Sequence, residues 1–165
     1  MQHPMIVHLP IALAVVMPIL ALGLLAAWWK GALPRRTWII AIVLQAMMVG
    51  AGVAALRTGE ADAERAERVV SESLIEAHEE FAEAFVYGGA AVFLLVLAAG
   101  LIRRERTAQR IAALAVTGTL VVLGLGYRVG KAGGELVYRH GAAATFTNVA
   151  GAGALPAPTV TDRDD

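Results

Sequence analysis

With 165 residues, 58% of them hydrophobic and only 17% charged, the chain is more apolar than a soluble domain, where roughly 45–50% apolar and about 25% charged is usual. Its formal net charge is zero, which excludes the basic excess of a nucleic-acid-binding surface. It has no cysteine, which excludes disulfides, thiolate metal sites, iron–sulfur clusters and covalently attached haem.

A mean hydropathy of +0.63 fits an integral membrane protein of one domain. Four apolar runs are long enough to cross a hydrocarbon core of about 30 Å, which takes about 20 helical residues. The first spans 9–29 and closes in Trp28-Trp29-Lys30, an interfacial aromatic pair followed by a charge. Pro10 fits its first turn, whereas Pro18 falls inside it and predicts a kink. The run lacks a basic segment ahead of it and exceeds the ~7–15 residues of a signal-peptide core, so no cleavable signal is expected. A connector with Pro34-Arg35-Arg36 leads to the second span, 38–56.

Residues 57–80 form the hydrophilic segment, alternating acids and bases. Ala63, Ala66, Val70, Leu74, Ala77 and Phe81 recur every three or four positions, which predicts an extramembrane amphipathic helix over 60–81 running on into the third span. That span covers 82–102 and ends in Arg103-Arg104-Glu105-Arg106. The fourth covers 111–129. It is rich in glycine, with Gly126 and Gly130 at the spacing that lets a neighbouring helix or a flat cofactor come close, and a bend is expected at Gly133-Gly134. The prediction is therefore an all-α, four-helix transmembrane bundle over 1–141, followed by a mobile tail, 142–165, of Ala, Gly, Thr and Pro.

Four spans return both termini to one side. The connectors on the other side are short and basic, with Lys30, Arg35 and Arg36 in one and Arg103, Arg104, Arg106 and Arg110 in the other. The positive-inside rule makes that side cytoplasmic and the termini periplasmic, in a bacterial inner membrane. At ~1.5 Å per residue, His8 lies about 33 Å and His3 about 40 Å from Lys30, and His78 about 37 Å from Arg103. His140 follows a helix that reaches Gly133-Gly134 about 35 Å from Arg110. All four histidines thus fall at the outer interface.

Histidine is the commonest metal ligand and the usual axial ligand of non-covalent haem. The cluster predicts a haem b site with His8 and His78 as the axial pair, and with His3 and His140 as supporting or second-site ligands. His3 and His8 lie ~140° apart on an ideal helix and cannot both face one partner unless Pro4 unwinds the start. Arg128, Lys131 and Arg139 stand level with the cluster and suit haem propionates. Alternatively, the four histidines with Glu76, Glu79, Glu80, Glu83 or Glu135 form a copper, zinc or iron site. A third reading is a structural or assembly protein in which the histidines only order the outer surface, while the charges anchor and snorkel at the interface.

His3-Pro4-x-x-Val7-His8-x-Pro10-Ile11-Ala12-Leu13, Thr58-Gly59-Glu60, the isolated His78, and Gly133-Gly134-x-Leu136-Val137-Tyr138-x-His140-Gly141 together resemble a bacterial membrane family, domain of unknown function 2231. The resemblance covers nearly all of the chain except the tail and implies a four-helix membrane protein. Some members carry Rieske-type or cytochrome c-type domains, which implies electron transfer. No such segment stands in this sequence, so the expected redox partner is a separate polypeptide. An electron carrier or binding protein is expected rather than an enzyme with its own substrate, and a homodimer is left open.

Overall fold

Inside hydrocarbon every backbone N–H and C=O must find its partner within the protein, so four long apolar runs fold as four helices. The computed structural model describes residues 6–67 and 70–139, with 61, 62 and 64–66 by backbone alone. They form α1 (His8–Trp29), a 3₁₀ turn (Arg35–Trp38), α2 (Ile39–Ala66), α3 (Glu72–Leu101) and α4 (Glu105–Tyr138), with no strand among the described residues. Each helix is long and apolar enough to cross a membrane, yet only 28–39% of each apolar window is buried. Side chains such as Ile19, Leu94 and Leu101 face outward, as they must where lipid is the solvent.

α1 packs on α2 and α4, and α3 packs on the same two, so the helices form a ring with α1 diagonal to α3. Residues three and four apart turn inward: Ala14, Met17, Ala21 and Leu25 on α1, and Ala41, Gln45 and Met48 on α2. Val92, Val96 and Ala99 do so on α3, and Ala108, Ala112 and Ala115 on α4. Gln45, fully buried, donates from Nε2 to the Gly89 carbonyl at 3.0 Å and ties α2 to α3 at mid-bundle. Pro18 is buried within α1, which runs on unbroken.

The end away from the termini is tied by polar side chains. α1 stops at Gly31, whose φ of 70° lets its N–H reach the Trp28 carbonyl at 3.0 Å and the Ala32 N–H reach Ala27 at 2.8 Å. These two bonds satisfy carbonyls that the helix end leaves open. Arg35 Nη2 does the same for α3, donating to the carbonyls of Ala99 (3.2 Å), Gly100 (2.8 Å) and Ile102. Its guanidinium lies 5.8 Å from the Trp28 ring, whose Nε1 donates to Glu105 at the start of α4 at 3.1 Å. Trp38 Nε1 donates to the Val96 carbonyl at 2.9 Å.

At the other end three helices overshoot. α2, α3 and α4 have 28, 30 and 34 residues against 22 in α1. At ~1.5 Å per residue each exceeds a 30 Å core by about 12–21 Å. The amphipathic stretch 60–81 is not one helix: α2 ends at Ala66, Ser71 is extended (ψ 137°), and α3 starts at Glu72. The stripe also shifts by one residue, with Ile75 buried and Leu74 exposed. Folding the stretch into a hairpin packs Val70 and Ile75 against Ala63 and Leu136, which a single straight helix projecting into water cannot do. Nor does α4 break at Gly133-Gly134; it continues as helix to Tyr138. His3, His140 and the tail 142–165 lie outside the described residues.

Replacing Arg35 by alanine leaves the α3 carbonyls without their charged donor, a loss of about 1.5–3 kcal/mol. Arg35→Ala is therefore expected to lower the unfolding midpoint in detergent, with Arg35→Lys recovering only part of it. A midpoint equal to wild type would show that the clamp carries no stability.

Candidate functional site

The overshooting ends enclose a cavity of about 420 Å³ bordered by all four helices. Its floor is Phe85, which packs under Gly126 of α4 and beside Gly52 of α2: β-carbons there would lie 3.2 and 3.7 Å from its ring. Ala63, Ile75 and Leu136 border its upper part. From Phe85 to Ile75 is ten residues, about 15 Å along α3. Apolar side chains and glycine make most of the wall.

Two imidazoles break that apolar lining. His8 opens α1 and is exposed, and His78 projects from α3, the diagonal helix, half-buried. The His78 ring comes close against the α4 backbone: a β-carbon at Gly133 would stand 3.1 Å from its Cε1 and 3.6 Å from its Nδ1. Gly133 therefore serves close approach, not a bend, and no other residue leaves the ring that space.

The remaining ionisable groups of the lining are carboxylates, Glu60, Glu79 and Glu83. Glu79 lies within electrostatic reach of Glu60, Glu83, Glu67 and Glu76. No lysine or arginine borders the cavity among the described residues. Among them, too, no three His, Asp or Glu side chains converge closely enough to hold a metal ion.

Of the residues predicted from sequence, His8, His78, Glu79 and Glu83 come together on one cavity. Glu76 and Glu80 are exposed outside it. Arg128 stacks 5.6 Å from the Phe81 ring, and Arg139 pairs with Glu135 at 3.8 Å on the surface; neither lines the cavity. Lys131 borders a second, smaller hollow between α1 and α4. The role of Gly133 went unread because a glycine pair in sequence signals flexibility as readily as contact. Gly52 and Gly59 of α2 were also missed as lining, although Gly59 and Glu60 stood in a recognised motif.

A family profile described as predicted membrane protein, DUF2231, matches residues 2–145. The chain belongs to that family. The match spans His3, His8, His78 and His140 and the whole four-helix region, and leaves out most of the tail. No curated protein and no solved structure matches the chain.

A side chain at Gly133 must displace the His78 ring. Gly133→Val is expected to destabilise the protein, and His78→Ala is expected to relieve much of that loss, giving a coupling of about 0.5–3 kcal/mol in a double-mutant cycle. Additive effects in thermal unfolding would mean that the two do not depend on each other.

Proposed function

We propose that the cavity seats haem b between His8 and His78, and that the protein is a cytochrome-like electron carrier of the bacterial inner membrane with its termini on the periplasmic side. One observation carries this reading: imidazoles from two diagonal helices line one apolar hollow. The size supports it, since cofactor and ligand cavities run to roughly 300–1,000 Å³. So does the wall, in which Gly130 leaves the helix backbone open to a flat group.

Haem supplies one-electron chemistry at its iron. The chain's part is to hold and tune it. His8 and His78 would hold the haem iron, with the His78 ring oriented by its contact with Gly133. Phe85 closes the side toward the bilayer centre and keeps the site dry. Glu60, Glu79 and Glu83 put a negative potential on the α2–α3 wall, which favours the oxidised state of a bound metal centre. It also directs the carboxylates of such a group away from that wall and draws in a separate, basic redox protein. A bare copper, zinc or iron ion is less well served, because His8, His78 and the three glutamates do not converge as a ligand set. Such a site needs His3 or His140 in addition.

Protein purified after haem-replete expression is expected to show a low-spin Soret spectrum that His8→Ala and His78→Ala each abolish. Glu79→Gln is expected to raise the midpoint potential, since it removes a negative charge beside the centre. Colourless protein carrying a stoichiometric metal ion would favour the metal reading. Colourless, metal-free protein whose His→Ala variants keep their cellular phenotype would favour a structural role.

A further inference from the structure

The seam between α1 and α4 carries a second hollow, about 270 Å³, on the outer surface of the bundle. Ile11, Gly126 and Gly130 border both it and the central cavity, so the wall is thin at this point. Some glycines of the bundle admit a close neighbour, β-carbons at Gly118 and Gly88 standing 2.7 Å from Val92 and 3.1 Å from Leu125, whereas Gly23, Gly50, Gly124 and Gly134 meet none. At Gly130 nothing lies within 4 Å, and neither helix fills the space. The hollow opens toward the bilayer, with Val15 and Tyr127 52% and 72% exposed. An unfilled apolar groove facing lipid forfeits dispersion contacts that a hydrocarbon chain restores.

The groove has a direction and a sign. From Leu123, where it is apolar, to Lys131, where it is cationic, is eight residues or about 12 Å along α4. Its charged end lies at the interface and its apolar end points into the membrane, which is how a lipid stands in the adjacent leaflet. Lys131 is exposed and has no ion pair or hydrogen bond among the described residues; the nearby Glu135 is turned to Arg139. Tyr127, one turn deeper, adds a phenol to the same groove. The central cavity bears carboxylates and repels an anionic headgroup, whereas the groove bears the Lys131 ammonium and attracts one.

We propose that this seam binds one anionic phospholipid from the leaflet on the terminal side. Its phosphate is held by Lys131 and Tyr127, its chain lies along Leu123 and Val15, and the lipid completes the cavity wall at Gly130. The proposal is independent of what fills the cavity. The full-length protein in phosphatidylglycerol–phosphatidylcholine vesicles, examined by electron paramagnetic resonance with spin-labelled lipids, tests it. Spin-labelled phosphatidylglycerol is expected to be immobilised about five-fold more strongly than phosphatidylcholine, the preference that one interfacial lysine confers. Lys131→Gln is expected to lower that preference about five-fold for spin-labelled lipid in the leaflet on the terminal side, with Lys131→Arg retaining it and Lys30→Gln, in the opposite leaflet, leaving it unchanged there. Gly130→Leu, which fills the groove, is expected to reduce the immobilised fraction. Equal immobilisation of the two lipids, or a preference in the terminal-side leaflet that Lys131→Gln leaves unchanged, overturns the proposal. The lysine variants alone decide the case if Gly130→Leu does not fold.

Discussion

The bundle depends on one cation placed where a helix ends. The last carbonyls of α3 have no partner within their own helix, and Arg35 reaches three of the terminal ones from a different connector. The same side chain lies beside Trp28, which holds Glu105 at the head of α4, while Trp38 bonds back to α3. Parts of all four helices are thereby joined within a few turns. A bundle tied so firmly at one end can separate at the other without losing its register, and the cavity lies at that other end.

Glycine does two kinds of work along the bundle. Between α3 and α4 it removes side chains so that Val92 and Leu125 can interlock. Nearer the termini it removes them so that an imidazole can rest against backbone at Gly133, or so that a gap is left at Gly130. Close packing and deliberate looseness thus come from the same residue type, and only the neighbouring helix decides between them. Gln45 adds a polar pin at mid-bundle, where a hydrogen bond between helices contributes about 0.6 kcal/mol on average.

The four spans were legible because hydrocarbon thickness and helical rise leave little freedom in length. The same count placed His8 and His78 at one level, and they do share a cavity. What the residues concealed was the partner of each polar group. Arg35 read as a marker of sidedness, since its acceptors are carbonyls more than sixty positions away and no side-chain pattern announces them. The acidic stretch read as one helix because it contains no Gly or Pro; its break at Ser71 comes from the gain in packing Ile75 and Val70 on Ala63 and Leu136. The shift from Leu74 to Ile75 has the same origin, since the hairpin and not the isolated helix sets which face is inside.

The overshoot of α2, α3 and α4 also fixes the electrical depth of the site. His8 and His78 lie beside segments that project past the hydrocarbon, so little of a transmembrane voltage falls between them and the adjoining water. A full crossing is worth ~2.3 kcal/mol per charge at 100 mV. A proton, electron or cation entering the cavity from the terminal side traverses only a small share of that field. Whatever binds or titrates there does so almost independently of membrane potential, and exchange with that side is close to electroneutral.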